Sequence, residues 1–315
     1  MTTLDLRPED IGRFRTLFAD APEGTRIRLA PGDYPITQPL GFKTGVSVQG
    51  EPGKTRITTK RGPFFTTEAK VLSLSGLILD GADSGTASAV MIPRGARLEV
   101  DQCRFRANHA SEGAVFAFSD VDRVSITRSV FEGNESVEGG GVMVVGSGGQ
   151  IVCDRCSFIG NRSKVGGAIY LRSGGAIKLL HCTFVDNEAS WPKGGGALFV
   201  LSAKSTGASA FIANCVFRGR EAICADTSKD YQVFIRSSVV PPETFPQERI
   251  ENVAGNTLAR PDLIGLAGGL FGLASTSAGA GRADLKYTTE NATDFLGNPL
   301  VRNGHADPGA LVRSF

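Results

Sequence analysis

The stretch CSFIGNRSKVGGAIYL, residues 156–171, is one complete unit of a pattern that returns along the chain. Its phenylalanine, Phe158, belongs to a series with Phe105, Phe131, Phe184 and Phe217, at successive spacings of 26, 27, 26 and 33 residues. A period of that size marks a stacked repeat protein. The flanks repeat too: VDQCRFRAN, ITRSVFEGN, CDRCSFIGN and LLHCTFVDN each set a small residue two before the phenylalanine and an asparagine three after it. The small residues are Cys103, Ser129, Cys156, Cys182 and Cys215; the asparagines are Asn108, Asn134, Asn161 and Asn187. Fainter copies are LSGLILDG, with Ser75, Leu77 and Asp80, and IRSSVV, with Ser238 and Val240.

Each unit passes through a short polar loop into a glycine pair or triplet and a second apolar segment: EGAVFAF, GGGVMVV, GGAIYLR and GGGALFV. Two short strands per unit, turned by Asn and Gly, read as β-structure. Such strands bury an inner face only by stacking on their copies. The predicted fold is therefore all-β, a parallel β-helix or solenoid in which each strand pairs with its copy one turn on, about 4.8 Å away. Phenylalanines would then form a core column, and asparagine amides would bond from turn to turn. Ahead of the repeats, Ile11, Phe14, Leu17 and Phe18 share one face of a short amphipathic helix. The expected organisation is a cap over residues 1–24, a β-helix over 25–240 and an irregular closing segment over 241–315, packed on or past the end of the coil.

These residues carry a resemblance. The GGAI and Phe-x-x-Asn elements resemble those of polymorphic outer-membrane protein repeats, and residues 25–240 resemble the right-handed parallel β-helix superfamily typified by pectate lyases. The entry segment RPEDIGRFRTLFADAPEGTRIRLAPGDYPI is similar to that of β-helix proteins whose helix covers the open end, where bare strand backbone would invite aggregation. The tail, residues 270–312, resembles the closing segment of bacterial surface proteins of the choice-of-anchor Q kind, with Pro308 in ADPGAL where that family has an apolar residue. The resemblance implies an extracellular, cell-surface or virion location. The N-terminus, MTTLDLRPEDIGRF, has no apolar signal core, so a cytoplasmic location stays open.

Composition narrows the partners. With 34 basic and 32 acidic residues spread along the chain, no nucleic-acid footprint stands out. The longest weakly apolar run, residues 263–274, is too short and glycine-rich to span a bilayer. The 40 glycines follow no Gly-X-Y period, so they point to turns rather than collagen.

Most apparent chemistry dissolves into the repeat. CDRC, residues 153–156, lacks the helix of a redox motif and the second pair of a zinc site, whereas Cys156, Cys182 and Cys215 share one ladder position; free thiols are expected. GSGG at 146–149 leads into a strand, not a phosphate-cradling helix. On the first strand the outward columns read Glu99, Ser125, Val152, Lys178 and Asp101, Thr127, Asp154, Leu180. Asp101 and Asp154 are two coils apart, about 10 Å, just beyond the reach of a glycosidase pair. No cofactor is required. Calcium is the one candidate ion, through Asp80 and Asp83 or Asp120 and Asp122, though these are also ordinary turn residues. No histidine spacing suits a metal.

The polar loops HAS, ESVE, RSKV and EASWPK stack on one edge, where function tends to be placed. The last carries Trp191, the one tryptophan, which either stacks on a sugar ring or packs its loop onto the coil. If Val115, Val142, Ile169 and Leu198 point inward, then Phe116, Met143, Tyr170 and Phe199 form an exposed apolar stripe fit for a ligand or a second copy of the chain; shifted by one, they are core. The reading favoured is a non-catalytic protein that binds a polysaccharide, cell-surface glycan or partner subunit, with Trp191, Tyr170, Phe116, Phe199, Glu188, Lys193 and His109 as ligand-binding candidates. The alternative implied by the resemblance is a lyase or glycoside hydrolase acting on an acidic polysaccharide, with Arg172, Arg162, Lys164 and Glu138 as catalytic candidates.

Overall fold

In the four repeats over residues 97–201 the chain draws four short strands around one apolar core, in most others three among the described residues, and successive repeats stack strand on strand. The structure is a computed structural model that describes residues 2–172, 174–201, 208–226, 231–244, 250–289 and 291–311. It is a parallel β-solenoid of about nine turns. Sheet I has 11 strands, from Thr3–Leu6 to Ile250–Ala254, and sheet II has 10, from Gly32–Pro35 to Thr257–Leu258. Sheet III is the four-stranded loop edge, and sheet IV has five strands, from Phe116–Phe118 to Ile223–Ala225. Pairing thus continues beyond 25–240 at both ends.

Alternation along each strand builds the columns. Leu98, Val124, Ile151 and Ile177 lie in register on the inner face of sheet I, as do Val100, Ile126, Cys153 and Leu179. The outward columns are those expected from the sequence, Glu99–Ser125–Val152–Lys178 and Asp101–Thr127–Asp154–Leu180. On sheet II the five phenylalanines stack nearly parallel, with ring centroids 5.2, 5.0, 4.6 and 4.7 Å apart. That interval is the strand spacing itself.

At the next corner the asparagines form the expected ladder. Asn108, Asn134 and Asn161 each donate from Nδ2 to Oδ1 of the next, at 2.8, 2.9 and 2.8 Å, ending on Asn187. Each Oδ1 also accepts the backbone N–H of the preceding coil's asparagine, so a buried bend has no orphaned polar group. All six cysteines are free thiols. Burial pushes the Cys153, Cys156 and Cys182 thiols far up, which leaves them inert.

The glycine pair answers to close approach. Gly166 holds φ at +59°, and a Cβ on Gly167 would lie 2.3 Å from the Gly196 carbonyl oxygen. No side chain fits between those coils. Between sheets I and II the chain turns on one residue in the left-handed region: Gln102, Arg128, Arg155, His181, Asn214 and Ser237, with φ between 45° and 57°.

The N-terminal helix, Phe14–Ala19, lays Phe14 and Phe18 against Tyr34 and Phe42, at 5.5 and 5.3 Å, and closes that end of the core. Ile11 and Leu17 pack beside them. Among the described residues no helix is long and apolar enough to cross a membrane.

The closing segment does not simply stop the coil's end. After the hairpin Leu263–Leu266 and Leu270–Leu273 it runs back along the outside, over sheet II and the left-handed corner. Leu270, Ala310 and Leu311 cover Val130, and Leu273 covers Val216 and Val239. Arg155 donates to the Thr293 carbonyl at 2.9 Å, and the Asn214 amide bonds both ways with the Asp284 backbone, at 2.9 and 2.7 Å. His181 is enclosed here, its Nε2 2.9 Å from Thr288 Oγ1 and 3.1 Å from the Asn214 amide.

Burial, aided by the Arg155 charge, pulls the His181 imidazole down from 6.5 to about 4. Between those two values the unfolded chain takes up a proton that the folded chain refuses. This contribution to stability is therefore complete above pH 6.5 and is lost as pH falls toward 4, a change on the order of 3 kcal/mol. Urea midpoints measured across that window should fall more steeply for the native chain than for His181→Gln. Parallel curves would show that the ring does not titrate in this way.

Candidate functional site

Sheet III is built from His109–Glu112, Glu135–Gly139, Arg162–Ser163 and Glu188–Ala189. Ala110, Ser136 and Ser163 turn inward and are buried, which sends the residue after each ladder asparagine outward. The outward column reads Asp83, His109, Glu135, Arg162, Glu188. His109 Nδ1 lies 3.5 Å from Asp83, and Arg162 Nε lies 3.1 Å from Glu188. Arg162 therefore stands between two carboxylates, Glu135 one coil before it and Glu188 one coil after.

Beside this column lies a second row. Lys164 pairs with Glu138 at 3.2 Å and sits under the Trp191 ring, 4.8 Å from its centroid. Trp191 is 55% exposed, with one part of its ring over Lys164 and the rest open to solvent. Lys193 turns the loop with φ of 56°, its backbone N–H donating to Glu221 at 2.7 Å. Between the rows runs an open groove of about 740 Å³, lined by Glu135, Val137, Arg162, Lys164, Glu188 and Arg220 among others.

Of the residues singled out from sequence, Arg162, Lys164, Glu138, Glu188 and Trp191 meet on this edge. Lys193 flanks it and His109 begins it. Arg172 does not join them. It lies round the glycine corner on sheet IV, paired through two 2.9 Å bonds with Glu112, a residue two coils back.

The apolar stripe requires correction. The registered columns are Phe116–Met143–Ile169–Leu198, which points inward, and Ala117–Val144–Tyr170–Phe199, which points outward. Phe116 is fully buried and packs edge-on against Phe105 at 5.3 Å, so it touches no ligand. Tyr170 and Phe199 do face outward, but Tyr170 is only 9% exposed, pressed with Val144 and Val165 beneath the glycine corner. Burial raises its hydroxyl pKa. No continuous exposed stripe runs along this face.

The sequence reading missed Glu135, Arg220, Asp186, Glu221 and Glu112. The first was legible: the residue after each ladder asparagine reads His, Glu, Arg, Glu. Glu112 was not, because its partner lies 60 residues away.

Three of the four carboxylates that could have offered calcium oxygens face arginines, and the fourth faces a histidine. Asp80 faces Arg56 and Arg106, Asp83 faces His109, Asp120 faces Arg94, and Asp122 faces Arg97. Among the described residues no group of three His, Cys, Asp or Glu side chains is arranged to hold a metal ion. Asp101 pairs with Arg128 and Asp154 with Arg155, and burial raises the pKa of the Asp154 carboxyl.

The profile described as "Right handed beta helix region" matches residues 82–240, half of the chain. The chain belongs to the right-handed β-helix family. No curated protein sequence matches this β-helix protein. Among solved structures it is similar in fold to a mannuronic acid specific polysaccharide family 6 lyase from human gut microbiota, at 10% identity and a TM-score of 0.36, over 76% of this chain and 81% of that one. A PL6 family alginate lyase, AlyGC, aligns at 11% identity and a TM-score of 0.30, over 87% of this chain and 56% of that one.

Proposed function

We propose that this β-helix protein is a non-catalytic recognition module that binds an extended polysaccharide along the sheet III groove. The observation that carries the reading is the exposed Trp191 ring, braced by Lys164, beside a rigid groove whose charged side chains repeat at each coil. A polymer with a regular repeat meets a surface with a regular repeat, and a fixed aromatic face supplies stacking at low entropic cost.

The same geometry speaks against hydrolysis. Glu135 and Glu188 are two coils apart, about 10 Å by strand spacing, and the Arg162 column between them pairs with Glu188 rather than leaving room for a water. Both Arg162 and Glu188 are about two-thirds exposed, at 65% and 64%, so no dry pocket encloses a reacting bond.

Affinity electrophoresis of the native chain against a polysaccharide panel, with reducing ends and unsaturated products followed in parallel, tests the proposal. Binding without product is expected, and Trp191→Ala should weaken it about tenfold, ~1.4 kcal/mol. Product formation, or affinity indifferent to Trp191, would overturn it.

A further inference from the structure

The charges of the groove also select among polymers. Its lining carries four carboxylates, Glu135, Asp186, Glu188 and Glu221, against three cations, Arg162, Lys164 and Arg220. Arg162 and Lys164 are paired within their own rows, and Asp186 is held by Arg218 at 3.3 Å. Glu135 and Arg220 take part in no ion pair among the described residues, and they are of opposite sign. They stand three coils apart, about 14 Å by strand spacing.

From this we infer that the ligand is an uncharged polysaccharide, a chain of neutral hexoses, and that polyuronates are disfavoured; the inference rests on the groove being a glycan site. A polyanion laid along the groove meets more carboxylates than cations, four against three. Among the described residues Arg220 is the one lining cation it reaches without competition; to gain the other two it must displace Glu188 from the Arg162 guanidinium or Glu138 from the Lys164 ammonium. Hydroxyl groups face no such conflict. They donate to the paired carboxylates and accept from the paired cations without separating them, because carboxylates keep spare lone pairs and guanidinium keeps spare N–H groups when paired. Glu135 at one end and Arg220 at the other then serve as free acceptor and donor for a segment spanning three coils.

The electrostatic signature is specific. Binding of a neutral chain to a groove of low net charge releases few counterions, so affinity should change little with salt, whereas polyuronate binding would fall steeply as salt rises. The decisive variant is Glu188→Gln, which frees Arg162 and shifts the lining from a net charge of −1, four carboxylates against three cations, to zero.

Titration calorimetry of the native chain with soluble neutral glucans and galactans, and with polymannuronate and polygalacturonate, should give binding of a neutral polymer at least about tenfold tighter than of either polyuronate. Glu188→Gln should raise polyuronate affinity while Trp191→Ala lowers neutral-glycan affinity. Tighter polyuronate binding by the native chain, falling with salt and weakened by Trp191→Ala, would overturn the ligand class and leave the groove as a glycan site. Absence of binding to every polymer would overturn both readings. Circular dichroism of each variant separates lost binding from lost fold.

Discussion

Asn161→Ala should lower the stability of the chain by about 4 kcal/mol, although the side chain is small and touches no ligand. Asn161 Oδ1 accepts from the Asn134 backbone N–H at 3.0 Å and from its amide at 2.9 Å. Its own Nδ2 donates to Asn187 Oδ1 at 2.8 Å and to the Phe131 carbonyl at 3.0 Å. The site is fully buried, so water cannot take the vacated positions. Leaving a buried donor or acceptor unmade costs roughly 1–3 kcal/mol each, and the Asn134 N–H loses its acceptor outright. Urea unfolding followed by circular dichroism measures the loss. A change below about 1 kcal/mol would mean that the ladder follows the bend rather than fixing it.

Phe158→Ala should be of the same size, about 4 kcal/mol, for a different reason. The ring is buried between two others, 5.0 Å from Phe131 and 4.6 Å from Phe184, with interplanar angles of 14° and 3°. Removing it opens a cavity bounded above and below by coils whose spacing is fixed by strand pairing, so the neighbours cannot close over it. Phe158→Leu should recover roughly half of the loss by filling part of that volume. Equal effects of the two substitutions would locate the contribution in ring stacking rather than in volume.

The ladders were readable because they follow from a period and a spacing. Phe158, Asn161 and Cys156 recur at fixed offsets, and parallel stacking leaves such residues only one place to go. The outward columns of sheet I were readable for the same reason.

The apolar face of sheet IV was misread by one residue because the large side chains were aligned with one another, Val115 and Val142 with Ile169 and Leu198. Register is set instead by the left-handed glycines Gly113, Gly140, Gly166 and Gly195. Counting three residues from each gives Phe116, Met143, Ile169 and Leu198, the observed inward column.

The path of the tail left little trace, since its anchors include backbone groups of Thr293, Asp284 and Gly309, which any sequence supplies. One sign was present on the receiving side. On the outer face of sheet II one column changes from Asp80, Arg106 and Glu132 to Ile159 and Val185, and the tail packs against Ile159.

A stack of coils is mechanically a row of neighbours, in which each turn is held only by the two beside it and the last can peel away alone. The returning tail alters that arithmetic. By clasping Arg155, His181, Asn214 and Val216 in a single crossing, it ties together coils that never touch, so loosening one of them strains the others. Fraying from the C-terminal end then needs the whole clasp to open at once, and the coils beneath it should exchange their amide hydrogens as a single block rather than in sequence.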